Sequence, residues 1–208
     1  YGLHNSRKNQ VNFITKSSDG IYWAATNFGL VEYNPVNGES IRHLNKPDDP
    51  NSLSGSRVRV VFEDSRQRIW VGTESGLSLF SRKKAAFRNF HYQQDDPLSL
   101  SSDFVESIFE DKSGGFWIGT DGGGINLFNQ NDSTFARVSS GTGTIQEISN
   151  GRIYDIMEDS QGNVWFGTFS GVAIWDRFKP NFNLYTENKT DNESLNNNLV
   201  WAFLEYRP

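Results

Sequence analysis

Apolar residues in this chain come in short bursts separated by Gly, Asn, Asp and Ser, and the bursts recur with a fixed rhythm. Val11, Val58, Val105, Ile153 and Val200 each open one burst, at intervals of 47, 47, 48 and 47 residues. A second burst keeps the same spacing: Trp23-Ala-Ala-Thr26, Trp70-Val-Gly-Thr73, Trp117-Ile-Gly-Thr120 and Trp165-Phe-Gly-Thr168. The runs are too short and too β-branched for helices, and no 3.6-residue period persists through any of them. They predict strands in a repeat protein. The longer interval has a local cause, because Thr120-Asp-Gly-Gly-Gly-Ile125, with an inserted glycine, stands where the second repeat reads Thr73-Glu-Ser-Gly-Leu77, one residue shorter.

Each repeat reads as four strands. The first, such as Val58 to Phe62 or Ile153 to Met157, ends at a turn written Glu63-Asp64-Ser-Arg-Gln67, Glu110-Asp111-Lys-Ser-Gly114 and Glu158-Asp159-Ser-Gln-Gly162, with Lys16-Ser17-Ser-Asp-Gly20 in the first repeat. Asp bonds its own backbone and Gly accepts positive φ, which suits a compact hairpin loop. Gln67 departs from that rule and predicts strain or a different turn. The Trp-x-Gly-Thr strand follows. A second turn then carries Gly29, Gly76, Gly123 and Gly171; a third strand ends on Tyr33, Phe80, Phe128 or Trp175; and a fourth spans Ile41 to Leu44, Phe87 to Phe90, Phe135 to Val138 and Phe182 to Tyr185. Four antiparallel strands in about 47 residues is the content of a β-propeller blade. Near-continuous apolar strands fit blades covered on both faces better than a sandwich with one wet face per sheet.

The predicted fold is therefore all-β: one partial β-propeller of four blades, residues 11–57, 58–104, 105–152 and 153–199, plus the first strand of a further blade at 200–208. Chemistry changes this picture little. The aromatic content of 14 % and the 19 glycines suit strands and tight turns. The net charge of −5 comes with basic residues spread along the sequence, so no footprint for nucleic acid is expected. With no cysteine there is neither a disulfide framework nor a thiolate metal site. No apolar run approaches the length of a membrane span, and Tyr1 to Arg7 lacks the apolar core of a signal peptide.

The phrase Glu-Asp-x-x-Gly-x-x-Trp-x-Gly-Thr-x-x-Gly-Leu, preceded by Asn-Ser-Leu-Ser, resembles the two-component regulator propeller repeat. Asn51 to Ser54 with Glu63 to Leu77, Leu98 to Ser101 with Glu110 to Ile125, and Glu158 to Val172 carry the resemblance, while the first repeat departs with Ala25 and Lys16-Ser17. The resemblance implies a seven-bladed propeller in the periplasmic sensor part of a membrane-anchored bacterial receptor, a hybrid histidine kinase or a diguanylate cyclase, with oligosaccharide ligands. Seven blades need roughly 330 residues, so the expectation is a fragment whose bare blade ends self-associate or dimerise.

Function is expected where the repeats differ. Asp64, Asp111, Asp159 and the four motif tryptophans recur in every copy or nearly so, which argues for scaffold. The residues entering each first strand, Gln10, Arg57, Phe104, Arg152 and Leu199, differ from one another, as do the turns Asn27-Phe28, Glu74-Ser75, Asp121-Gly122 and Phe169-Ser170. In a propeller these loops share one face. Arg57, Phe104, Arg152, Asn27, Phe28, Glu74, Asp121 and Phe169 are thus the candidate ligand residues, since rings stack on sugars and guanidinium forks hold oxyanions or hydroxyls. No catalytic residue, metal site or cofactor is expected: His4, His43 and His91 have no ligand spacing, and no nucleophile elbow or phosphate loop occurs. Glu74 and Asp121 leave a glycosidase or lyase reading open, and a protein-interaction scaffold is the third alternative.

Overall fold

The computed structural model describes residues 10–138, 151–178, 181–191 and 193–204. His4 and residues 205–208 of the expected last strand lie outside them. The described residues contain sixteen strands and no helix. They form four antiparallel sheets of four strands: β1 (Val11–Lys16), β2 (Tyr22–Thr26), β3 (Gly29–Tyr33) and β4 (Ser40–His43); β5 (Val58–Glu63), β6 (Ile69–Thr73), β7 (Gly76–Ser81) and β8 (Ala86–Phe90); β9 (Val105–Glu110), β10 (Phe116–Thr120), β11 (Ile125–Asn129) and β12 (Thr134–Arg137); β13 (Ile153–Glu158), β14 (Val164–Thr168), β15 (Gly171–Asp176) and β16 (Asn181–Tyr185). Strand order follows chain order in every sheet, so each is a simple meander, one blade. Two units divide the chain. Residues 1–92 with 103–105 hold the first two blades, and residues 93–102 with 106–208 hold the other two.

Within the first unit, blade one offers Trp23, Ala25 and Leu30, and blade two answers with Val58, Val61, Ile69, Phe80 and Phe87. His43 joins this packing, with ring centroids 5.0 Å from Phe80 and 5.6 Å from Phe87. The second unit repeats the plan: Trp117 and Ile125 meet Ile156, Val164, Phe166 and Phe182. Each such buried aromatic or branched side chain contributes about 1.5–3 kcal/mol. The central strands β6 and β10 are buried along their whole length, as blades covered on both faces require. Blade one departs from that expectation, because Ile14, Tyr22 and Tyr33 are exposed where the same repeat positions in blade two are buried.

The conserved phrase explains itself once placed. In three blades the motif aspartate uses one oxygen to cap backbone N–H groups of its own turn and the other to accept the indole N–H of the tryptophan six residues on. The indole bonds are 2.8 Å from Trp70 to Asp64, 2.7 Å from Trp117 to Asp111 and 2.8 Å from Trp165 to Asp159. In blade one Ser17 Oγ accepts from Trp23 instead, at 3.1 Å. The neighbouring glutamate reaches back to the preceding blade: Glu63 accepts from Ser18 N and Oγ, and Glu158 accepts from Lys112 N. Aspartate therefore ties a blade to itself, and glutamate ties blades together. The closing threonine bonds the carbonyl of the glycine that opens the third strand, as Thr73 does with Gly76 at 3.0 Å.

Gly119 stands where a Cβ would lie 2.7 Å from Cβ of Ile153, and Gly72 where one would lie 2.7 Å from Val105. Val105 and Ile153 thus fill the niche left by the previous repeat's glycine, whereas Val58 follows a first repeat that has Ala25 at that place. Gln67 keeps the turn of its glycine counterparts and adopts φ of 60°, beside 86° at Gly114 and 87° at Gly162. Strain, not a new turn type, is the outcome there.

Three sequence expectations need correction. The glycine opening β11 is functionally Gly124, not Gly123, because Thr120 Oγ1 bonds the Gly124 carbonyl and Gly124 N donates to Gly151 O, as Gly76 N does to Asp103 O. In blade one, Ser40 pairs with Tyr33 as Phe87 pairs with Phe80, so Ile41 falls one place out of register and is exposed. Residues 198–204 form no strand. Their N–H groups bond singly, that of Phe203 to the Asp155 carboxylate at 2.7 Å, and build no ladder with a partner strand. Val200 nevertheless keeps its packing role over Gly167, and its N–H donates to the Thr168 carbonyl at 3.0 Å.

Candidate functional site

The varied residues expected to bind ligand emerge from two places in each repeat, the approach to the first strand and the two-residue turn after the motif threonine. In the first unit, Arg57 is half-exposed and its Nη1 lies 2.9 Å from Glu74 Oε2. Asn27 Nδ2 donates to Gln10 Oε1 at 3.1 Å, and Asn12 Nδ2 donates to Asn27 Oδ1 at 3.0 Å. Arg42 holds the Phe28 turn, donating to the Phe28 carbonyl at 2.7 Å with its guanidinium 6.0 Å from the ring. Phe104 receives the Arg59 guanidinium at 5.7 Å. The first unit thus brings together Arg57 with Glu74 and, separately, Asn27 with Gln10 and Asn12.

In the second unit the groups converge more closely. Arg152 forms an ion pair with Glu106, whose side chain is 5 % exposed, and its Nε lies 3.4 Å from Asp121 Oδ2. The same guanidinium lies 5.0 Å from the centroid of Tyr154. Tyr154 in turn lies against Trp201, with ring centroids 4.3 Å apart and planes tilted by 40°, and Trp201 is 61 % exposed. Burial works against the charge on Arg152, but the hydrogen bond and charge of Glu106, reinforced by Asp121 and Tyr154, raise its pKa above the ordinary value. The cation is permanent and fixed. Phe169, the remaining candidate, is 63 % exposed, with its N–H donated to the Arg152 carbonyl at 3.2 Å.

This geometry revises the chemistry expected of the arginines. Both already face carboxylates, so neither is an open receptor for an anionic sugar; each presents a charge-balanced array of donors and acceptors suited to hydroxyl groups. Glu74 and Asp121, considered as a carboxylate pair for glycoside cleavage, each engage an arginine of their own unit. Among the described residues, no group of three acidic or imidazole side chains could hold a metal ion.

The sequence reading missed Asn12, Arg59, Glu106, Tyr154 and Trp201, which follow the aligned valine or isoleucine by one position. The signal was available. Side chains alternate along a strand, so the residue before the aligned apolar position and the residue after it point the same way. Gln10 implies Asn12, and Arg152 implies Tyr154; Trp201 lies in a segment that forms no strand, so alternation does not find it.

A repeated four-stranded meander blade defines the β-propeller class, and comparison with known proteins agrees. Residues 52–75, 99–122 and 147–170 match the two component regulator propeller family. Three segments of the chain thus carry the two component regulator propeller repeat. Over 75 residues it is 37 % identical to histidine kinase P4 of Formosa agariphila, a match spanning 36 % of this chain and 6 % of that protein. Among solved structures it resembles the extracellular domain of the hybrid two component system BT4673 from B. thetaiotaomicron, with a TM-score of 0.74 at 20 % identity over 92 % of this chain and 24 % of that one. The extracellular domain of BT3049 from the same organism gives 0.53 at 22 % identity over 99 % of this chain and 32 % of that one. The chain therefore spans a small part of each of these proteins, and the likeness to the solved structures is one of fold.

Proposed function

We propose that this chain belongs to the extracytoplasmic, ligand-sensing part of a bacterial two-component receptor, periplasmic in location, and that its task is recognition and not turnover. The proposed ligand is a neutral oligosaccharide, and binding would be relayed to a cytoplasmic output domain elsewhere in a membrane-anchored parent. Support for the receptor comes from the repeat family and from the relatives' names. The observation that carries the ligand class is the tilted Tyr154–Trp201 ring pair beside a guanidinium already balanced by Glu106 and Asp121. An exposed ring covers the apolar face of a pyranose, while neutralised polar groups at its rim exchange hydrogen bonds with hydroxyls.

Calorimetric titration with a panel of neutral oligosaccharides tests this. At least one should bind, and Trp201→Ala should weaken it about ten-fold or more, with little effect on folding because the ring is exposed. A panel with no binder, or equal binding by the W201A protein, would remove the support for a sugar ligand at this place.

A further inference from the structure

The chain carries 25 acidic and 20 basic residues, and four of the basic ones, Arg82, Lys83, Lys84 and Arg88, fall within seven residues of sequence. Folding brings Arg68 beside them. A groove of about 780 Å³ on blade two is lined by Arg68, Arg82, Lys83, Lys84 and Arg88, with no aspartate or glutamate in its wall. It runs between the β5–β6 turn, the β7–β8 hairpin and the linker at Pro50 and Asn51, wholly within the first unit. Two of the cations are balanced from behind: Arg68 Nε lies 2.6 Å from Asp64 Oδ2, and Arg82 lies 2.7 Å from Asp19 and 3.6 Å from Glu32. Lys83, Lys84 and Arg88 are exposed, and no acidic side chain among the described residues lies within ion-pair distance of them. Arg88 lies over the Phe90 ring at 4.8 Å, which holds its fork in place.

A concentration of positive charge on an acidic protein is an electrostatic cost in the free molecule and a gain when an anion arrives. The neighbouring chemistry narrows the anion. Phe80 and Phe87 line the groove but are almost fully buried, so there is no exposed ring on which nucleic-acid bases could stack. An acidic peptide adding to the edge of the sheet would need the main chain of β8, yet Phe87 N already donates to Asn51 O at 2.8 Å and Asn89 Nδ2 is bound to the carbonyls of Pro50 and Ser52. What remains is recognition by side-chain cations alone of oxyanions spaced along a chain.

We propose that this groove is a binding site for an acidic polysaccharide, one whose sugar units bear sulfate or carboxylate groups, held by Lys83, Lys84 and Arg88. It does not share residues with the Tyr154–Trp201 place and stands or falls independently of it.

The test is affinity of the 208-residue chain for two probes, a heparin hexasaccharide and tetragalacturonate, which separate sulfate from carboxylate chemistry. At least one should bind, and binding should weaken about 20-fold between roughly 50 and 200 mM salt, as three released counterions predict. The K83Q/K84Q/R88Q protein should lose about ten-fold or more at low salt, whereas K189Q/R177Q, which lines no part of the groove, should bind as the parent does. Since the three side chains are exposed, an unchanged melting temperature confirms that folding is intact; should it fall, the single variants K83Q and K84Q give the same comparison in smaller steps. Unaltered affinity in the groove variants, failure of both probes, or tighter binding of an oligothymidylate or polyglutamate would each overturn the proposal.

Discussion

The smallest unit of explanation in this molecule is the aspartate that ends the first strand. Asp111 is pushed up by burial, but bonds from Ser113, the Trp117 indole and the Gly115 and Ser113 backbone outweigh that and hold it below the ordinary value; Asp159 behaves alike with Trp165 and Asn163. A carboxylate with depressed folded pKa contributes stability that is present above its unfolded pKa of about 4 and is lost as pH falls through the folded value. Acid melting below about pH 4 should therefore be shallower in Asp111→Asn, which at neutral pH should already be less stable by about 1–3 kcal/mol because the Trp117 N–H meets an amide in place of a carboxylate. Denaturation at pH 7 and pH 3 compares the two directly. The left-handed Gln67 supplies a second residue-level expectation: Gln67→Gly should stabilise by up to about 1 kcal/mol and Gly114→Gln should destabilise by a similar amount, read as shifts in denaturation midpoint.

At the scale of the element, what matters is how one strand's glycine meets the next repeat's branched side chain. Gly119→Ala would drive a methyl into Ile153 and Ser107, which sit on β13 and β9. Overpacking of that kind costs about 1–3 kcal/mol, so a drop of several degrees in melting temperature is expected, with partial rescue by Ile153→Ala. The segment 198–204 gives a contrasting pH effect. Asp155 is raised by burial, against the bonds from Phe203 N and Ile156 N. A raised acid is costly when ionised, so this contribution favours the folded state below the unfolded pKa and is lost as pH rises through the folded value. Asp155→Asn should be neutral or stabilising at pH 7 and indistinguishable from the parent protein near pH 3, the opposite ordering from Asp111→Asn.

For the molecule as a whole, the exposed Ile14, Tyr22 and Tyr33 of blade one occupy the positions that Val61, Ile69 and Phe80 fill in the packed surface of blade two. A surface built to receive a blade is left open to solvent, so the 208-residue chain is expected to self-associate. Light scattering should show a mass above the monomer that Ile14→Glu with Tyr33→Glu reduces; a monomeric parent at high concentration would contradict this. The architecture was legible beforehand because repetition multiplies a weak signal: one Trp-x-Gly-Thr is suggestive, four at even spacing define strands, turns and blades. The candidate site was legible only by halves. Variation between copies pointed to Arg152 and Asp121, but Glu106 and Tyr154 lie one step beyond the aligned column and needed the strand's two-residue alternation to be applied, while Trp201 sits outside any strand. The basic groove was legible in part, since Arg82-Lys83-Lys84 and Arg88 stand together in the sequence, whereas Arg68 joins them only through folding.

The filling of each glycine niche by the following repeat has a practical corollary for anyone who cuts or recombines such chains. Val105 covers Gly72, Ile153 covers Gly119, and Val200 covers Gly167, so the piece that finishes one blade is encoded at the start of the next. An excision made at the repeat's own seam leaves its last blade with an open notch, whereas one that overruns to the next branched residue and the few beyond it carries the plug along. A chain ending at Leu199 should accordingly melt earlier than one ending at Leu204, although the two differ by five residues that form no strand.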